Sequence, residues 1–192
     1  MLFRLAWTPR KTSPARSHGW RRKVRERFRI LVVCLGNICR SPMAEGVLRA
    51  RIDASHLAGQ VDLDSAGTGD WHVGQPPDRR AIAKARDHGL DISALRARQF
   101  RVDDHHDFDW ILCADRTNLR DVRRLAPDGA RARTGLLMEW AGVEGDGEIP
   151  DPYTGGEAQF EHVHGLLDAA ATGLLARIEH ERAGGDGTQT SD

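Results

Sequence analysis

Cysteine is scarce in this chain, with three residues in 192. Three thiols cannot build a disulfide framework and none is spaced as in a zinc ribbon, so the disulfide-rich secreted class and the structural-zinc class are excluded. Long apolar runs are missing too. No stretch approaches the ~20 apolar residues that a membrane-spanning helix needs. No apolar segment follows the early positive charges, as a secretory signal requires. Net charge is also nil, with 28 basic and 28 acidic side chains. What is present is one domain's worth of sequence, 40% hydrophobic and 29% charged, enough to bury a core without staples. The expectation is a soluble, cytoplasmic enzyme or binding domain.

The neutral total hides an uneven distribution. Residues 1–29 carry ten Lys or Arg and only Glu26 as an acid, so the remainder is net acidic. Residues 1–27 show no sustained period and are expected to form a poorly ordered, solvated arm. Nucleic-acid binding through the arm is a possible added role rather than the main one. From residue 28 the pattern changes. Residues 28–33 (FRILVV), 61–66, 110–114 (WILCA) and 134–137 read as short buried strands. Residues 43–52 (after Pro42), 78–88 (before Gly89), 115–125 and 157–182 read as helices. Residues 138–156 read as a long loop, and 183–192 as a disordered tail. Alternating strands and helices predict an α/β fold, a four-stranded parallel sheet with helices on both faces. The domain is expected to span residues 28–182. Ligands of such sheets bind beyond the carboxyl ends of the strands.

The first such end carries Cys34-Leu35-Gly36-Asn37-Ile38-Cys39-Arg40-Ser41. A loop between a buried strand and a helix start turns backbone N–H groups into one concavity that suits a tetrahedral anion. Gly36 permits close backbone approach. Arg40 offers a planar fork for two phosphate oxygens. At the base of this cradle the helix dipole and Arg40 favour an ionised Cys34 sulfur, a nucleophile aimed at phosphorus. The plainer reading of Cys34 is a small buried hydrophobe at a strand end, with Arg40 solvated. Cys113, inside an apolar strand with no basic neighbour, reads as inert core.

The segment VCLGNICRSPMAEGV at 33–47 resembles the signature of the low-molecular-weight protein-tyrosine phosphatases. The likeness continues through DSAGT at 64–68, Trp71, Gly74, ARQ at 97–99, FDWILC at 108–113 and Asp151-Pro152-Tyr153. It implies a three-layer sandwich fold and hydrolysis of phosphotyrosine through a cysteinyl-phosphate. Cys34 is then the nucleophile, residues 34–41 the phosphate loop with Arg40 its guanidinium, and Asp151 the general acid. Pro152 restricts Asp151 to extended geometry, although an Asp-Pro pair alone marks a surface turn. The resemblance further implies a network of Asn37, Ser41 and Ser65 that holds the loop open, and a reversible disulfide between Cys34 and Cys39. Many relatives add a histidine where this chain has Leu95, a departure expected to loosen the loop slightly.

Trp71 and Tyr153 are expected to wall a flat phenyl ring at the rim. Related arginine phosphatases carry threonine at the place of Ile38, which favours phosphotyrosine here. Thiol-dependent arsenate reductases share the loop, but their relay needs two further mobile cysteines, and only Cys113 remains after Cys39. No metal or cofactor is called for. The Asp103-Asp104-His105-His106-Asp107 stretch reads as a charged loop rather than a ligand cluster. The expected partner is a phosphotyrosine protein, by analogy with bacterial family members a tyrosine kinase.

Overall fold

A computed structural model describes residues 27–184. Apart from Arg27, the basic arm lies outside the described residues, as do residues 185–192 of the expected tail. Strands β1 (Phe28–Cys34), β2 (Val61–Gly67), β3 (Trp110–Cys113) and β4 (Arg133–Leu136) form one parallel sheet in the order β2-β1-β3-β4. Alternation along β1 divides the interior in two, because successive side chains point to opposite faces. Ile30, Val32 and Cys34 join one apolar cluster, Leu31 and Val33 the other. Trp110 and Leu112 follow the first set, Ile111 and Cys113 the second.

The larger cluster is roofed by α1 (Arg40–Asp53), α2 (Arg79–Asp87) and the long α6 (Glu157–Gly184). α6 buries Phe160, Val163, Leu167, Ala170, Ala171, Leu174 and Ile178, each at most 1% exposed. That is the three- and four-residue spacing of one helical face. α1 packs against β1, β2 and α6 and is largely buried, with Arg49, Arg51 and Asp53 left exposed. The smaller cluster is closed by α4 (Arg116–Arg124) through Val122, together with Phe100 and Phe108. Helices on both faces of a parallel sheet make the expected three layers.

The boundaries differ from expectation where capping or packing intervenes. α1 begins at Arg40, with Pro42 as its third residue, where a missing N–H costs nothing. α2 and α4 each start one residue late because Asp78 and Asp115 are their N-caps, accepting from Arg80 N and Asn118 N. Two single-turn helices, α3 (Asp104–Asp107) and α5 (Leu137–Trp140), occupy segments expected to be loop or strand. Asp104 is fully buried and accepts from Arg101 N and Arg98 Nη1. Leu137 and Met138 are buried in the main core. α6 runs two residues past the expected domain edge. There, Arg182 ties it to Gln60 through bonds of 3.2 Å to the carbonyl and 2.9 Å to Oε1.

The fold places the chemistry-bearing loop at a particular point. β1 is flanked by β2 on one side and β3 on the other, so the connections from β1 to β2 and from β3 to β4 run in opposite directions and open a crevice at the carboxyl end of β1. Cys34 is the last residue of β1.

Candidate active site

The eight-residue segment from Cys34 turns directly into α1. Asp78 caps α2 and Asp115 caps α4, but Cys39 at the N-cap of α1 makes no side-chain capping bond. The first amides of α1 therefore lack a side-chain acceptor, the condition under which a helix start receives an anion. The loop curls over the sulfur, with Asn37 N donating to Cys34 Sγ at 3.3 Å. Ser41 Oγ lies 3.0 Å from the same sulfur. Asn37 has φ +54°, the only positive value outside glycine among the described residues. It holds that conformation because its side chain is engaged at both ends. Nδ2 donates to Ser41 Oγ and Ser65 Oγ, each at 2.9 Å, and Oδ1 accepts Arg98 N at 2.9 Å. Asn37, Ser41 and Ser65, the three residues the resemblance groups, are thus brought within hydrogen-bond reach of one another. Leu95, half-buried against the main core, lines a surface pocket with Glu45 and Arg49. The network is not left open at that point, because Ser65 Oγ donates to Glu45 Oε2 at 2.7 Å.

Arg40 is 3% exposed and divides its donors. Nη1 bonds Asp115 Oδ2 at 2.6 Å and the Ile149 carbonyl at 3.1 Å, while Nη2 bonds Asp151 Oδ2 at 2.8 Å. Burial works against the guanidinium charge, but Cys34, Asp151 and Asp115 outweigh it and hold Arg40 above its ordinary value. Asp151 is turned toward Arg40 by its own loop, since its Oδ1 accepts Tyr153 N at 3.0 Å.

A cleft of about 280 Å³ opens over these groups, lined among others by Cys34, Arg40, Asp151, Trp71, His72 and Tyr153. Leu35, Gly36, Ile38 and Cys39 complete the loop wall. Trp71 and Tyr153 are more than half exposed at its mouth. Arg80 fixes the Tyr153 side. It donates to the carbonyls of Tyr153 and Gly155 at 3.0 and 2.9 Å, and its guanidinium lies 5.8 Å from the Tyr153 ring centre. Gly36 allows a second close approach, since a Cβ there would meet the His72 ring at 3.0 Å.

Among the described residues, all three cysteines are free and buried. Burial, with Asp78 and Cys34 nearby, pushes the Cys39 thiol up to about 12. Cys113 is raised further, chiefly by burial. The sequence reading missed Asp115, Glu45 and Gly67. An aspartate directly after a buried strand was a usable signal for Asp115, because ligands gather at that sheet edge. Glu45 sits mid-helix with nothing to mark it. Gly67 ends β2 beside Cys34, and a Cβ on it would lie 2.8 to 3.1 Å from backbone atoms of Leu35, Gly36 and Asn37. No helix among the described residues is long and apolar enough to cross a membrane.

Comparison with known proteins agrees with this arrangement. A family model described as low molecular weight phosphotyrosine protein phosphatase matches residues 29–184. A low molecular weight protein-tyrosine-phosphatase of Streptomyces coelicolor is 43% identical over 160 residues, covering 82% of this chain and 97% of the relative. The crystal structure of a protein tyrosine phosphatase from Entamoeba histolytica superposes with a TM-score of 0.76 at 32% identity, covering 81% and 99% of the two chains. That of Vibrio vulnificus Wzb, in complex with benzylphosphonate, gives 0.68 at 31% identity, covering 78% and 98%. With a parallel sheet that delivers Cys34 into an uncapped helix start, and a match across nearly all the described residues, this chain belongs to the low molecular weight protein-tyrosine phosphatases, hydrolases of phosphotyrosine proteins.

Proposed function

We propose that Cys34, Arg40 and Asp151 carry out the hydrolysis in two displacements. In the first, the Cys34 sulfur attacks phosphorus in line, forming an S–P bond as the P–O bond to the tyrosine breaks. Asp151 gives its proton to the departing phenolic oxygen, whose parent acid has a pKa of about 10 and leaves poorly as the anion. In the second, Asp151 takes a proton from water, the resulting hydroxide attacks phosphorus, and the S–P bond breaks. This returns the thiolate and releases inorganic phosphate. Arg40 and the amides of residues 35–41 stabilise the equatorial oxygens in both transition states. An entering phosphate oxygen competes for Arg40 Nη2 with Asp151, and so frees the carboxyl for its proton transfers.

The observation that carries this reading is that Arg40 joins Asp151 at 2.8 Å on the wall of the cleft that contains Cys34. Nucleophile, anion clamp and acid therefore converge from segments more than 100 residues apart. Aromatic residues at the mouth suit a phosphotyrosine ring, in keeping with the benzylphosphonate held by the Vibrio relative. Ile38 fills the loop wall with hydrocarbon, which favours a phenyl ester over phosphoarginine. The proposed substrate is a phosphotyrosine protein, with a tyrosine kinase as the candidate partner, and cytoplasm as the proposed location.

The test compares phosphotyrosine, phosphoserine and phosphoarginine peptides on the wild type and on Cys34→Ser. The reading requires phosphotyrosine to be the best substrate and the variant to be inactive. Preference for phosphoarginine, or turnover by Cys34→Ser, would refute it.

A further inference from the structure

We infer that Glu45 and Arg49 are positioning residues for this reaction, holding the buried network so that its last hydroxyl donates to the Cys34 sulfur. The inference rests on the reading of Cys34 as nucleophile. Glu45 is only 4% exposed, yet both of its carboxylate oxygens are engaged. Oε2 accepts the Ser65 hydroxyl at 2.7 Å and Oε1 accepts Arg49 Nη2 at 2.8 Å. Arg49 Nη2 also donates to the Leu63 carbonyl at 2.6 Å, which fastens α1 to β2 behind the loop.

An ionised carboxylate only accepts hydrogen bonds, and a hydroxyl has one proton to give. Ser65 gives its proton to Glu45, so it can only accept from Asn37 Nδ2. The Asn37 amide cannot turn over, because Oδ1 is occupied by Arg98 N. Its other Nδ2 proton goes to Ser41 Oγ. Ser41 is left with one proton and two acceptors, Cys34 Sγ at 3.0 Å and the Ala66 carbonyl at 3.4 Å. The nearer is the sulfur. The donor sense of every bond from the α1 surface to the nucleophile then follows from a charged Glu45.

Arg49 has the complementary task. A bare carboxylate in this interior would be costly. Its charge, left unbalanced, would also disfavour negative sulfur at the other end of the network. The guanidinium one helical turn along removes both problems. Leu95 leaves this end of the network without a histidine, and Arg49 is the cation that meets Glu45 there.

The test measures iodoacetate alkylation of Cys34, steady-state turnover of p-nitrophenyl phosphate and melting temperature in Arg49→Met, Arg49→Lys and Glu45→Gln. Arg49→Met is expected to slow alkylation about tenfold at pH 6 and less than twofold at pH 9, the scale of losing about one charge-assisted hydrogen bond. kcat should fall in step while KM stays within twofold, because Arg40 is untouched. Arg49→Lys should restore most of the loss. If Arg49→Met does not fold, Glu45→Gln, which keeps the side-chain shape, should show the same pH-selective loss. A fall in melting temperature without the pH-selective loss in any folded variant would overturn the inference. Turnover that survives in Cys34→Ser would instead refute the nucleophile reading beneath it.

Discussion

Arg40 and Asp115, 75 residues apart in sequence, are joined by a 2.6 Å bond between Nη1 and Oδ2. The same carboxylate caps α4 through Oδ1, which accepts Asn118 N at 2.7 Å. One side chain therefore ties the guanidinium to the end of a helix, so that Arg40 needs no further ordering when a phosphate arrives. Arginine recognises phosphate through a rigid planar fork, and Asp115 fixes the plane of that fork.

Asp115→Asn separates the two tasks, since asparagine caps a helix as well as aspartate does. Thermal stability should change little. The kcat/KM for a phosphotyrosine peptide should fall about 10- to 100-fold, the worth of a charge-assisted hydrogen bond of about 1.5–3 kcal/mol. Steady-state kinetics beside a melting curve would check it.

Gly67→Ala tests the close approach between β2 and the phosphate loop. The added methyl would lie 2.8 Å from the Leu35 carbonyl oxygen and 3.0 Å from the Gly36 carbonyl carbon. These are backbone atoms, so the loop itself must shift. A displacement of this kind in a site that relies on alignment costs about 100-fold in kcat. The variant should remain folded by circular dichroism, and its affinity for inorganic phosphate, measured by competition, should weaken in parallel.

Oxidation gives a pH-dependent prediction. Peroxide should convert the Cys34 thiolate to sulfenic acid, and a Cys39 thiolate should then displace hydroxide from that sulfur to form the disulfide. Only the ionised form of Cys39 attacks, and its thiol is held up to about 12 by burial and by Asp78. Ring closure should thus accelerate about tenfold per pH unit between 7 and 9. Cys39→Ser should recover less activity than wild type after peroxide and then reductant. Equal recovery would exclude Cys39 as the protecting thiol.

A further dependence on pH comes from the face of α6 that meets His88. His164 is 6% exposed and stacks on His88 with ring centres 3.6 Å apart. Burial, and then the charge of His88, lower its proton affinity below the ordinary 6.5, outweighing Glu161 and Asp168. The unfolded chain therefore binds this proton more readily, so His164 destabilises the fold as pH falls from about 6.5. Urea midpoints should drop between pH 7 and pH 5, and His164→Gln should flatten that slope.

The residues that could be read from sequence are those whose role is local. Cys34, Gly36, Asn37 and Arg40 lie within seven positions, between a β-branched run and a helix start, so strand, loop and anion cradle come from one short segment. Asp151 needed a family resemblance, because an Asp-Pro pair by itself marks a surface turn. Asp115 and Glu45 act through contacts of 75 and 20 residues' separation, and no local spacing encodes those. The single-turn helices α3 and α5 were missed for a related reason. Four residues do not sustain a helix by propensity, and these turns form where Asp104 and Leu137 are held by the folded interior.

The two ends of the described chain meet at the amino end of β1. β1 starts at Phe28, whose N donates to the Gln60 carbonyl, and Arg182 near the close of α6 grips the same Gln60. Cys34 sits at the far end of the seven-residue β1, about 20 Å away at roughly 3.3 Å per residue. An affinity handle, a fluorescent fusion or a bead joined directly at Arg27 or at the close of α6 would therefore leave the catalytic mouth facing outward, where large phosphoproteins can reach it.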